Sequence, residues 1–242
     1  MSRAADLALL GEGERALLDG LYRLRLASAA QLGELFRPEE PEGVADLLAK
    51  LAAAGLAARV PEEGEPAGWH LPAWGLQVAE ALGGVQPAQR RRPGEELLEL
   101  LFLRERLALN DLWVALERSR RAGRLEEVGW EVPPRNARRF YAFVAEGDVL
   151  LTADAAVQVV DGAGRRVRLI FFDRPSWPLA RWQAEFKLWA EFAVETGRAE
   201  PILLFCSDPA RQPLLAAQVT ERHNTEVVDA AGALASLGVP PG

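Results

Sequence analysis

Leucines recur at helical spacing near the start of the chain. In ERALLDGLYRLRL (14–26), Leu17, Leu18, Leu21 and Leu24 fall on one face of a helix. Ser28 stands in a capping position ahead of AAQLGELF, a second helical stretch that runs out before Pro38. A third helical pattern covers 42–54 and stops at Gly55. LAARV and AGWHL then flank the turn-rich PEEGEP, which predicts two short strands around a loop. Three helices followed by a two-stranded wing is the order of a winged helix-turn-helix, expected over residues 1–88.

VQPAQRRRPG (85–94) breaks the pattern with two prolines and three consecutive arginines, and reads as a linker centred on 89–94. A leucine-rich segment, 95–122, predicts a long helix ended by Gly123. Its basic cluster Arg118, Arg120, Arg121 and Arg124 suits the partial negative charge of a helix carboxyl end. EVPPRNARRF (131–140) reads as irregular. Beyond it the period becomes strand-like: AAVQVV, then DGAG, then RRVRLIFF predicts a hairpin turning at 161–164. Residues 178–195 predict a helix with Trp182, Phe186, Trp189 and either Phe192 or Ala193 on its apolar face. PILLFC (201–206) reads as a buried strand, Ser207-Asp208-Pro209 as a helix start and TEVVD (225–229) as a last strand. Residues 89–242 are thus expected to form an α+β or α/β domain around a sheet of mixed strand direction.

Composition narrows the class. With 242 residues, 49% of them apolar, the chain can build one large core or two smaller ones. No apolar run approaches the ~20 residues that span a bilayer, and the opening MSRAADLALLGEGER lacks the pattern of a signal peptide, so a cytoplasmic protein without membrane partners is expected. One cysteine, Cys206, excludes an intrachain disulfide. With only His70 and His223 beside it, a zinc-type cluster is excluded too. Cys206 reads as a small core residue. Net charge is −7, carried by the first half: residues 1–88 hold 7 basic and 13 acidic groups, residues 89–242 hold 21 and 22. An acidic module suits docking or homodimerisation better than duplex reading, because phosphate contacts supply most of the affinity for DNA.

Of the 28 basic residues only Lys50 and Lys187 are lysines. A lysine kept in so arginine-biased a chain is a candidate for chemistry, since its compact charge is not interchangeable with a guanidinium. Asp154 precedes the first hairpin strand and Asp173 ends the second, so both reach the same end of the sheet; Lys187 follows on the next helix. Two carboxylates with water and substrate phosphate would suit Mg²⁺, and a lysine could stabilise the transferring phosphoryl group. The plain alternatives are a turn acceptor for Asp154, a surface ion pair with Arg174 or Arg181 for Asp173, and a solvated helix face for Lys187. Arg135, Arg138 and Arg139 with Phe140 and Tyr141 form an interleaved basic and aromatic strip suited to phosphates and bases, or else an exposed arginine-rich loop.

Across roughly residues 14–220 the chain resembles the replication-relaxation family of plasmid and mobile-element proteins. The resemblance rests on RALLDGLYRLRLASAAQLGELF, LALNDLWVAL, LLTADAAVQV, the FFDR to Lys187 segment and PILLFCSDPAR, taken in order. It implies a winged helix joined to a restriction-endonuclease-like domain, with a pattern of Pro-Asp, then Glu-x-Asp-Arg at a strand end, then a helical Lys. Asp154, Asp173, Arg174 and Lys187 stand at matching positions, with Asp154 and Asp173 as the metal candidates. Ala153 replaces the proline, Phe171 replaces the glutamate, and Glu105 stands near the place of a histidine that precedes Asn110-Asp111.

These readings lead to a non-catalytic or weakly active accessory protein, associated with DNA directly or through a partner, in plasmid replication, mobilisation or maintenance. Arg135, Arg138, Arg139, Tyr141 and Arg174 would contact nucleic acid. The alternatives are a Mg²⁺-dependent endonuclease using Asp154, Asp173 and Lys187, and a winged-helix transcription regulator.

Overall fold

The computed structural model describes residues 10–36, 43–60, 67–83, 103–133, 136–143 and 145–239. The chain divides into two compact units, 1–114 and 115–242. The expected linker, 89–94, and residues 95–102 of the expected long helix lie outside the described residues, as do the acidic wing tip and Arg135.

In the first unit, α1 (Glu12–Leu24) is followed by a short strand β1 (Leu26–Ala27), α2 (Ala29–Phe36), α3 (Val44–Ala53), β2 (Ala58–Val60), β3 (Gly68–His70) and α4 (Ala73–Leu82). The strands form an antiparallel sheet in the order β1-β3-β2. This is the order the leucine pattern predicts for a winged helix, and Leu17, Leu18, Leu21 and Leu24 are all fully buried. Two elements escaped the sequence pattern. β1 is too short to show alternation, and α4 (AWGLQVAEAL) lacks a capping side chain at Pro72. Gly75 lets α4 approach the chain after α3, for a Cβ there would lie 1.9 Å from the Leu56 carbonyl oxygen.

The long helix, α5 (Leu103–Arg121), ends before Gly123, which takes the left-handed φ of 72° that helix ends favour. The division between the units falls within α5. Leu103 and Leu107 cluster with Leu26, and Val60 packs against them. Ser28 and Gln31 close a capping box on α2: the Gln31 N–H donates to Ser28 Oγ at 3.1 Å and the Ser28 N–H to Gln31 Oε1 at 3.0 Å. Gln31 also reaches α5, its Nε2 donating to the Leu107 carbonyl at 2.8 Å and to Asp111 Oδ1 at 2.7 Å. Asn110 Nδ2 donates to the Leu26 carbonyl at 2.5 Å. The Asn110-Asp111 pair therefore has a structural job, tying α5 to β1 and α2.

In the second unit a five-stranded sheet has the order β10-β9-β8-β7-β4. Its strands are β4 (Glu127–Glu131), β7 (Ala155–Asp161), β8 (Gly164–Phe172), β9 (Ile202–Phe205) and β10 (Thr225–Val228). β4, β7 and β8 pair antiparallel, while β8, β9 and β10 run parallel. A separate antiparallel ribbon joins β5 (Ala137–Ala142) to β6 (Gly147–Thr152). The stretch 131–140, read as irregular, is in fact the end of β4, a Pro-containing break and the start of β5. Gly129 inside β4 and Pro133-Pro134 after it conceal strands that only pairing reveals.

α6 (Leu179–Glu195) lays Trp182, Phe186, Trp189, Phe192 and Ala193 into the core, as its apolar face predicts. They meet Phe171 and Leu169 of β8, and Phe140 and Leu151 of the ribbon. Full burial of such side chains stabilises by about 1.5 to 3 kcal/mol apiece before entropy is counted, so this face dominates the second core. The Ser207-Asp208-Pro209 stretch starts a turn, in which Asp208 Oδ1 accepts from the Ala210 N–H; the helix α7 begins only at Gln212 and ends at Ala216. α8 (Ala230–Ser236), capped by Asp229, closes the chain's described part. Its alanine-rich sequence carries no periodic apolar face by which to foresee it.

Candidate functional site

Pairing of β7 with β8, with Ala155 opposite Ile170, brings Asp154 beside the end of β8. The predicted convergence of Asp154 and Asp173 at one end of the sheet is thus met. Asp154 Oδ2 accepts from the Phe172 N–H at 3.0 Å, and Oδ1 faces the Arg174 guanidinium at 3.4 Å. Arg174 lies over the Trp177 ring at 4.6 Å and near the Phe172 ring at 5.5 Å. Asp173 is more deeply enclosed, at 3% exposure. Its partner is neither Arg174 nor Arg181 but Arg211, whose Nε donates to Oδ2 at 2.5 Å while its Nη2 donates to the Trp177 carbonyl at 2.6 Å. The Cys206 thiol donates to the same Oδ2 at 3.6 Å. Asp173 Oδ1 has no hydrogen-bond partner among the described residues.

Phe171, standing where the family pattern has a glutamate, points into the core and meets Trp189 with ring centroids 4.5 Å apart. Lys187 is exposed on α6 and makes no hydrogen bond or ion pair with either aspartate. A Mg²⁺ ion needs several oxygen donors with open lone pairs. Here each aspartate already faces a guanidinium, Phe171 beside them is packed into the core, and no group of three or more His, Cys, Asp or Glu among the described residues could hold a metal. The residues present do not fit the cation that the pattern implies.

Cys206 is buried, and its thiol is pushed up to about 11, chiefly by burial and further by the nearby Asp173 and Asp208 charges. A thiol so raised is a poor nucleophile at neutral pH. His223 is engaged elsewhere: Nδ1 accepts from the Thr220 N–H at 2.9 Å, and the ring stacks on Phe186 at 5.5 Å. Burial lowers its affinity for a proton.

The basic and aromatic strip is split by strand alternation. Arg138 shares the inward side with Phe140 and is bound by Glu200, its Nε donating to both carboxylate oxygens at 3.2 and 3.0 Å. Arg139 and Tyr141 face out. Arg139 is 75% exposed, pairing loosely with Asp148 at 3.2 Å, and Tyr141 is 46% exposed. Beside them stand Phe143, 77% exposed and edge-on to Tyr141 at 5.2 Å, and Leu150 of β6. Phe143 and Leu150 escaped the sequence reading because the hairpin itself was not foreseen; period-two alternation through RRFYAF was the available signal.

No helix among the described residues is long and apolar enough to cross a membrane. A helical unit with a small antiparallel sheet, followed by a mixed sheet with paired aspartates at one end, defines a two-unit α+β protein. The replication-relaxation family model matches residues 18–203, and the chain belongs to that family. Neither curated proteins nor solved structures yield a match. Membership points to a role connected with the replication of plasmids or other mobile elements.

Proposed function

We propose that the protein is an accessory factor of mobile-element replication, mobilisation or maintenance that associates with nucleic acid through its second unit and does not cut it. The observation that carries this reading is the pairing of both aspartates with arginines, Asp154 with Arg174 and Asp173 with Arg211, beside a packed Phe171. Both carboxylates are met by guanidinium groups, and Arg174 remains partly exposed for a phosphate oxygen.

The contact surface is the outer face of the β5–β6 ribbon. Arg139 supplies charge, and Tyr141 and Phe143 supply stacking area of the kind that serves single strands without sequence preference. The first unit is poorly suited to reading a duplex. On α3, which would enter the groove, the exposed positions are Ala45, Asp46, Ala49, Lys50 and Ala53, leaving few groups to reach base edges. Docking to a partner protein or to a second copy suits that surface better. A winged-helix regulator would have to read DNA through it.

Fluorescence anisotropy with labelled single-stranded and duplex DNA tests the proposal. The full chain is expected to bind, with affinity falling as salt rises, and an Arg139→Ala, Tyr141→Ala double variant is expected to lose about tenfold. Undiminished binding by that variant would move the contact surface elsewhere; binding by neither strand form would refute nucleic-acid association.

A further inference from the structure

The β5–β6 ribbon has two long edges, and they differ. On β5 the Tyr141 N–H turns away from β6 and donates to Glu195 Oε2 of α6 at 3.2 Å, so the chain itself covers part of that edge. The same bond fixes the alternation of the ribbon. Residues opposite one another in an antiparallel pair either exchange backbone hydrogen bonds or both turn those groups outwards. Tyr141 lies opposite Asp148, Arg139 opposite Leu150 and Ala137 opposite Thr152. On β6 the N–H and C=O groups of Asp148, Leu150 and Thr152 therefore face the other edge, where no strand pairs with them among the described residues. Their side chains are exposed, Leu150 at 62%. Leu150, Leu151 and Thr152 also border a cavity of about 210 Å³, which leaves space beside the strand.

An edge of this kind is a template for another strand unless proline, lysine or a bulge blunts it. GDVLLT (147–152) holds neither proline nor lysine, and its register is unbroken. We infer that β6 pairs antiparallel with β6 of a second copy of this chain about a two-fold axis at Leu150, which makes a four-stranded sheet in the order β5-β6-β6-β5.

The register is what selects a second copy. With Leu150 opposite its own counterpart, Asp148 stands opposite the second copy's Thr152 and Thr152 opposite the second copy's Asp148. The outward backbone groups of both strands then meet in hydrogen-bonded pairs, as an isologous contact requires. The one charge within the strand meets a hydroxyl rather than itself, and each exposed Leu150 gains an apolar neighbour. Arg139, already paired with Asp148 at 3.2 Å, remains on the outer face one strand away. The pairing goes beyond the nucleic-acid reading and does not depend on it; it sets Arg139, Tyr141 and Phe143 of both copies on one face.

The test is sedimentation velocity of the full chain over a wide concentration range, joined to cysteine cross-linking. The parent is expected to dimerise. Leu150→Asp would set two carboxylates opposite each other and is expected to weaken the dimer at least tenfold, with a thermal melt matching the parent's because the position is exposed. Cross-linking reads the register directly, since the natural Cys206 is buried. Cα atoms of a hydrogen-bonded antiparallel pair lie about 5.5 Å apart, within disulfide range, so Leu150→Cys is expected to form a covalent dimer under a mild oxidant. Asp148→Cys, about 13 Å from its counterpart at four residues' remove, is not. A parent that stays monomeric throughout would overturn the inference. So would a dimer that Leu150→Asp leaves unchanged, which would place the contact elsewhere, or cross-linking through Asp148→Cys in preference to Leu150→Cys. None of these results bears on whether the chain binds nucleic acid.

Discussion

Two polar clusters, one in each unit, are built in opposite ways. In the first unit Gln31 donates to the Leu107 carbonyl and to the Asp111 carboxylate, and Asn110 donates to the Leu26 carbonyl. In the second, two carboxylates meet two guanidinium groups, and Asp173 Oδ1 has no hydrogen-bond partner among the described residues. A cluster that serves only to fasten a helix can satisfy its atoms with neutral amides at modest cost. Burying charge is expensive unless each ion is paired, so the second cluster is an uneconomical way to hold a fold.

Removing one partner from each cluster sharpens the contrast. Arg211→Ala leaves Asp173 buried and unpaired, and urea unfolding is expected to show a loss of about 3 to 5 kcal/mol. Replacing both partners, Asp173→Leu with Arg211→Met, should recover most of that; no recovery would mean that Arg211 acts through its bond to the Trp177 carbonyl instead. Asn110→Ala should cost about 1 to 3 kcal/mol, the range for leaving a buried carbonyl without its donor. A larger loss than for Arg211→Ala would invert the comparison.

Cys206 offers a pH handle on the second cluster. The folded thiol holds its proton up to about 11, whereas an ordinary thiol here releases it at 9.0. The folded state therefore binds the extra proton between those values: its contribution is complete below about 9 and is lost as pH rises towards 11. The stability difference between the parent and Cys206→Ala should shrink over that window. A difference that stays constant would show the thiol to be accessible to solvent. Smallest is the effect expected at the outer ribbon, where Arg139→Ala removes an exposed pair with Asp148 and should change stability by less than about 0.5 kcal/mol, while weakening DNA binding.

Much of this architecture was legible in the sequence because its periods are clean. The leucine repeat of α1, the hairpin around 161–164 and the aromatic face of α6 all follow from spacing alone. The end of the sheet was legible too, since Asp154 and Asp173 flank two strands joined by a short turn. What the sequence concealed was partnership. Arg211 lies thirty-eight residues from Asp173, and nothing local marks it as the counter-ion. Arg138 and Arg139 look alike in the chain, yet strand alternation sends one to Glu200 and the other to solvent. The β5–β6 ribbon was hidden by the prolines before it, and with the ribbon went Phe143 and Leu150.

The central claim is that arginines, not a divalent cation, neutralise Asp154 and Asp173. Its most direct test is to incubate supercoiled and linear DNA with the protein in Mg²⁺ or Mn²⁺ and follow strand scission on a gel, beside an Asp173→Ala control. Intact DNA in every lane is the predicted result; metal-dependent nicking by the parent that disappears in the control would contradict it.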